Sequence, residues 1–171
     1  MAIRVTTLPR VSWDMFKTVD NIPDTPEEAQ IHPEFAGVPR FSPARAGGKF
    51  RLPATLTLNV GLNRADTMVL RTATKTPELL KHEQGHYDLL VLVIRALARE
   101  LESLEADSVA ELGRLMTEAQ QTHADRAQAL DEAYDTQTNH SRDAQAQARW
   151  DGAISAALAN PQTSKISNLD L

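Results

Sequence analysis

From Thr76 to about Ala106 nothing but Gly85 interrupts a helix-forming run, and its second turn carries His82-Glu83-Gln84-Gly85-His86. The start of the run is well marked: Thr76 suits an N-cap, Pro77 the first helical position and Glu78 the first turn. Side chains four residues apart stand on one helix face, so His82 and His86 point side by side. Glu83 projects about 100° around the axis from His82, near that face without sharing it. Two imidazoles one turn apart with a carboxylate beside them form the geometry of a zinc hydrolase. The histidines hold the ion, and the carboxylate takes a proton from water. Leu89, Val93, Ala96 and Leu97 continue the histidine face as an apolar stripe. That stripe predicts a buried helix rather than two surface histidines.

The chain before this helix has another texture. Residues 1 to about 76 hold all nine prolines except Pro77 and Pro161, together with Gly47-Gly48, and read as short strands and irregular connections. The clearest strand is Phe50 to Leu62, where every even position is apolar. Pro53 implies that pairing begins after it or lies at a sheet edge. Asn63 to Asp66 reads as a turn into a short partner, Thr67 to Arg71, and Ile3 to Thr7 is a further strand. After the first helix, Ser108-Val109-Ala110-Glu111 has the form of a capping box. Val109, Leu112, Met116, Ala119, His123, Leu130 and Ala133 then form a stripe that only Arg126 violates. A short link between two long helices implies an antiparallel hairpin. A break near Asn139-His140-Ser141 precedes a third helix, about Arg142 to Ala159, closed by Asn160-Pro161. The expected class is α+β: a small N-terminal β region with irregular loops, a long helical hairpin and a third helix. Residues 1–160 read as a single domain and 161–171 as a polar tail.

Composition narrows the chemistry. A chain of 171 residues with 42% hydrophobic and 24% charged content suits one globular domain with a real core. A net charge of −5 without a block of Lys and Arg argues against a nucleic-acid binder. With no cysteine there is no disulfide, thiolate-held zinc or thiol nucleophile, so any metal falls to His, Asp or Glu. The most apolar run, Leu89 to Ile94, lies between Asp88 and Arg95 and is too short to span a bilayer. Met1 to Val5 lacks the apolar stretch of a signal peptide, so the chain reads as intracellular unless a leader precedes it.

A catalytic zinc takes three protein ligands and keeps a position for water. Leu89 and Leu92 stand where a metzincin would carry Gly and His, which excludes that class. Glu102 and Glu105 share the motif helix, and Glu105 lies roughly 28 Å from His86, too far to share an ion. If the hairpin turns near Asp107, Gln128 falls opposite His86 and Glu132 opposite His82. The donors at or beyond that point are Asp131, Glu132, Tyr134, Asp135 and His140. His123 lies nearer Val91 and reads as a core histidine or one behind the ligands. His140 overshoots the straight-helix register by about 12 Å, so the chain must bend back for it to reach.

Two segments, "LLKHEQGHYDLL" (Leu79 to Leu90) and "YDTQTNHSRDAQAQARW" (Tyr134 to Trp150), resemble paired signatures of a bacterial family described as secreted zinc-dependent proteases and otherwise of unknown function. "VSWDMF" (Val11 to Phe16) is similar to a Trp-Asp-Phe segment of that family more loosely. The likeness covers the helical half well and the first half poorly. The family's Tyr-Asp pair, Thr and His match Tyr134, Asp135, Thr138 and His140, which implies His140 as the third ligand. This chain departs from the family in lacking an export signal and in carrying Ser141 where a Gly is expected.

On this reading His82, His86 and His140 bind Zn²⁺, and Glu83 is the general base. Tyr134 either donates to the tetrahedral oxyanion or is a packed aromatic of the hairpin. Tyr87 is structural. Asp135 either supports an imidazole N–H or is a surface charge, and with Glu132 it is the alternative third ligand. Gly85, which costs roughly 1 kcal/mol in a helix relative to Ala, implies a close neighbour, either a strand or substrate backbone. The strand Leu56 to Leu62 would offer an edge for an extended peptide substrate. A second reading is a non-catalytic helical hairpin that binds partners, with a structural metal or none. A di-iron centre needs Glu-x-x-His from two helices, and the chain holds one copy.

Overall fold

The computed structural model describes residues 3–23 and 27–171. Met1 and Ala2, which open the segment read for a leader, lie outside the described residues, as do residues 24–26. Among the described residues the architecture is α+β: short strands and loops come first, and three helices follow.

The strands are β1 (Arg4–Thr6), β2 (Lys17–Val19), β3 (Ala29–Gln30), β4 (Pro33–Phe35), β5 (Ala44–Ala46), β6 (Lys49–Arg51), β7 (Thr57–Leu62) and β8 (Met68–Leu70). The alternating stretch at Phe50 to Leu62 is divided between β6 and β7 rather than being one strand. Pro53 lacks a ladder donor, and its carbonyl instead closes a turn by accepting the Leu56 N–H at 3.1 Å. Leu52, Leu56, Leu58 and Val60 still face the core, but Ala54 in the turn is exposed, so the period-two pattern marked burial on either side of the break and not within it. β7 is central, with β1 parallel on one side and β4 antiparallel on the other. Each neighbour pairs with half of β7, β1 with Thr57 to Asn59 and β4 with Val60 to Leu62, so the strand expected to be an edge lies inside its sheet. The turn after Asn63 forms, but it does not fold β8 back on β7. Instead β8 pairs with β2 in parallel and β3 in antiparallel, leaving β3 at an edge.

The helices are α1 (Pro77–Ser103), α2 (Val109–Thr138) and α3 (Ala144–Ala159). Thr76 caps α1 by accepting the Leu79 N–H at 3.1 Å, and Ser108 caps α2 by accepting that of Glu111 at 3.1 Å. Asn139, in the left-handed region at φ 48°, ends α2, and His140 and Ser141 are left-handed too. Three such residues in a row turn the chain sharply, which is the bend expected there. Contacts descend α1 as they ascend α2: Glu100 meets His123, His86 meets Asp131 and His82 meets Asp135. The hairpin is antiparallel.

α1 is sandwiched. Tyr87, Val91, Ile94, Leu97 and Leu101 pack in one cluster with Leu58, Val60 and Val69 of the strands. Leu89, Leu92, Val93 and Ala96 pack in a second cluster with Leu130 and Tyr134 of α2 and Trp150 and Ile154 of α3. Two covered faces explain why the stripe beyond the histidines is apolar. Two side chains of the motif helix also tie down the N-terminal segment. Gln84 accepts the Val11 N–H at 2.7 Å, while Tyr87 accepts the Leu8 N–H at 2.6 Å and donates to the Val60 carbonyl at 3.0 Å. Tyr87 is thus structural, as expected.

Where a polar tail was expected, β9 (Lys165–Ile166) and β10 (Leu169–Asp170) form a small hairpin. Ile166 and Leu171 are buried in the second cluster, so their apolar side chains hold the segment on the helices. Arg99 donates to the carbonyls of Pro161 and Thr163. Arg126, the odd residue of the α2 stripe, donates to Leu171 at 2.8 Å.

Candidate metal centre

His82 and His86 are both buried, 3% and 9% exposed, where α1 passes under the N-terminal strands and against α2. Their Nε2 atoms stand 3.2 Å apart. Asp135 Oδ1 completes a triangle, 3.2 Å from His82 Nε2 and 3.0 Å from His86 Nε2. A tetrahedral zinc with bonds of about 2.0–2.2 Å separates its donors by about 3.3–3.5 Å. The observed triangle is within a few tenths of an ångström of that spacing.

The far side of each ring fixes its orientation. His82 Nδ1 donates to Gln147 Oε1 at 3.0 Å, since the Gln147 amide nitrogen is spent as a donor to Tyr134 and Asp151. His86 Nδ1 donates to Asp131 Oδ1 at 2.6 Å. These partners assign the N–H to Nδ1 in both rings and turn both Nε2 atoms inward, toward each other and Asp135. Such convergence of electron pairs is relieved by positive charge at its centre, either a metal ion or a proton on one imidazole. Burial works against a charged His86, but Asp131 and Asp135 outweigh it and raise that imidazole well above its ordinary range. Burial also opposes a charged Asp135, yet the bonds from His82 and His86 prevail and hold its carboxyl well below the usual range.

Glu83 is 2% exposed, and its Oε2 accepts the Ile31 N–H at 2.8 Å. Burial, opposed by both histidines and that N–H, raises its pKa to about 7. Glu83 borders two cavities. One, of about 330 Å³, is lined by Gln30 to Pro33, His86, Leu89, Leu90, Asp131 and Asp135, with Glu27 at its wall. The other, of about 310 Å³, lies toward His82, His140 and Arg142 and also includes Glu27.

The third donor differs from the one the resemblance implied. Among the described residues Asp135, not His140, converges with both histidines. Asp135 is still on the straight part of α2, one turn beyond Asp131, whereas His140 lies past the helix end. His140 stands 3.7 Å from Asp135 and meets Glu27. Glu132 bonds Gln128 on the exposed side of α2 and is not part of the triangle.

Tyr134 also has a different place. It is fully buried and donates to the His82 carbonyl at 3.3 Å rather than lining either cavity. Its ring stacks on His82 with centroids 4.8 Å apart and meets His86 edge-on at 4.9 Å. Burial raises its hydroxyl far above the ordinary phenol range, so it stays protonated. This is the packed-aromatic alternative, and it positions both imidazoles. Tyr134, not a strand or a substrate, is the neighbour that Gly85 makes room for. His123 is a core residue, buried and 2.9 Å from Glu100.

Sequence reasoning missed Gln147 and Glu27. Gln147 reaches the site from α3, in an Ala-Gln alternation that gives no sign of a role. Glu27 comes from a loop with no pattern at all.

The sequence model of one bacterial family, described as a bacterial protein of unknown function (DUF922), matches residues 41–141. That span is more than half of the chain and includes His82, Glu83, His86, Asp131, Asp135 and His140, while Glu27 and Gln147 lie outside it. No curated protein and no solved structure matches the chain.

Proposed function

We propose that this chain, which belongs to the bacterial DUF922 family, is a zinc-dependent metallopeptidase that cleaves peptide bonds with Glu83 as general base. One observation carries the reading: three donors from two helices, His82, His86 and Asp135, meet with 3.0–3.2 Å spacing beside a buried glutamate and a cavity. The set is all nitrogen and carboxylate oxygen, which suits zinc, and both rings are held from behind as ligands are.

A zinc ion held there supplies Lewis acidity, polarising a carbonyl and making water a nucleophile near neutral pH. The chain's own groups do the rest. Glu83 takes the proton of the attacking water and returns it to the leaving amine. The Ile31 N–H fixes the carboxylate. Asp131 and Gln147 keep the imidazoles facing inward. The substrate lies in the cavity along Gln30 to Pro33, where edge strand β3 offers backbone that an extended peptide can meet.

The test is Glu83→Gln. The variant should keep its zinc by elemental analysis and lose hydrolysis of a mixed peptide library by at least about 100-fold. Hydrolysis at the parent rate would refute the role of Glu83.

A further inference from the structure

We propose a second divalent-cation site beside the first, formed by Glu27, Asp135 and His140, with Asp135 bridging the two ions. The ligand atoms of these three residues all lie within 4.8 Å of one another, as do those of His82, His86 and Asp135. Asp135 belongs to both sets. Its Oδ1 is 3.2 Å from His82 Nε2, 3.0 Å from His86 Nε2 and 3.7 Å from His140 Nδ1, and the last nitrogen also meets Glu27 Oε1. One carboxylate oxygen therefore faces three imidazoles, and a carboxylate has a second oxygen and lone pairs enough for two ions. Paired ions in hydrolases stand about 3.5–4 Å apart, a separation one carboxylate spans.

The three residues come from separate stretches: the loop before β3, the last turns of α2 and the left-handed turn after it. No local sequence preference brings them together. Their side chains are 14%, 22% and 34% exposed for Glu27, Asp135 and His140, sheltered yet reachable by an ion. Charge points the same way. Glu27, Glu83, Asp131 and Asp135 border the two cavities, and Arg142 is the one Lys or Arg among the described lining residues. Glu27 borders both cavities, which puts the second ion between them. One imidazole and two carboxylates suit zinc or another first-row divalent metal.

The inference rests on the zinc reading of the first site, because Asp135 serves both. The test loads the metal-free full chain with Zn²⁺ and, separately, with Co²⁺, then measures metal per chain and the electron paramagnetic resonance of the cobalt form. The expected result is two ions per chain with spin-coupled cobalt. Glu27→Gln and His140→Ala should each hold one ion, uncoupled, with unchanged circular dichroism. If His140→Ala does not fold, Glu27→Gln carries the test, since Glu27 lies outside the helices. One ion per parent chain, insensitive to Glu27→Gln and lost in His82→Ala, overturns the second site and leaves the first standing. One ion lost equally in His82→Ala and His140→Ala moves His140 into the first site and overturns the bridge. No bound ion at all overturns the zinc reading itself.

Discussion

Tyr134 occupies the space that Gly85 leaves open on α1. A Cβ built at position 85 would stand 2.6 Å from the tyrosine Cζ and 2.9 Å from its Cε1. The same ring stacks on His82 and abuts His86, and Trp150 meets it edge-on with centroids 5.3 Å apart. The glycine within the histidine motif thus admits an aromatic ring that braces both imidazoles.

Gly85→Ala tests that brace. An ordinary helix interior would gain about 1 kcal/mol from this change. Here Tyr134 is fully buried and cannot swing away, so overpacking should give a net loss of about 1–3 kcal/mol. Urea unfolding of the metal-free protein checks the sign. A stabilised variant would mean that the ring can yield.

Asp131 lies behind His86 and is half-exposed, so its removal should spare the fold. Asp131→Ala should weaken zinc binding by about 10–100-fold through loss of ring orientation. Competition with a chromophoric chelator measures this. Unchanged affinity would remove Asp131 from the site.

His123 sets a pH dependence of stability away from the metal. Burial lowers its pKa below the ordinary imidazole value although Glu100 opposes the shift, and among the described residues its Nδ1 has no hydrogen-bond partner. The unfolded chain titrates near about 6.5 and the folded one lower. Between those values the unfolded state binds more protons, so the contribution is complete above pH of about 6.5 and is lost as pH falls toward the folded value. Glu83 and His86, whose pKa values are raised, act in the opposite sense in both proteins, so the difference is the readout. Relative to His123→Leu, the parent's urea midpoint should fall as pH goes from 7.5 to 5.5. An identical slope in parent and variant would deny His123 the effect.

The helices were legible because their signals are local. Thr76 and Ser108 cap where their side chains suggest, and Asn139 ends α2. The strands were less so: most span two or three residues, and nothing in Met68 to Leu70 says that its partners are Lys17 to Val19 and Ala29-Gln30 rather than β7. In the site, His82, Glu83 and His86 follow from helix periodicity alone. The third donor depends on hairpin register, and Asp131 rather than Gln128 faces His86, a shift of three residues. That shift is nearly one helical turn. It brings Asp135 against both imidazoles without any bend, whereas likeness to a family pointed past the helix end to His140. Glu27 and Gln147 arrive from elements whose placement only tertiary packing decides. Ile166 and Leu171 show the same limit, as two apolar side chains in a polar stretch that hold a hairpin on the core.

Anomalous diffraction at the zinc absorption edge, from crystals of the zinc-loaded full chain, tests the centre most directly. The account predicts a peak at about 2.0–2.2 Å from Nε2 of His82, Nε2 of His86 and a carboxylate oxygen of Asp135. A map with no peak among those three atoms, or a peak bound by both histidines and His140 with Asp135 displaced, would contradict it.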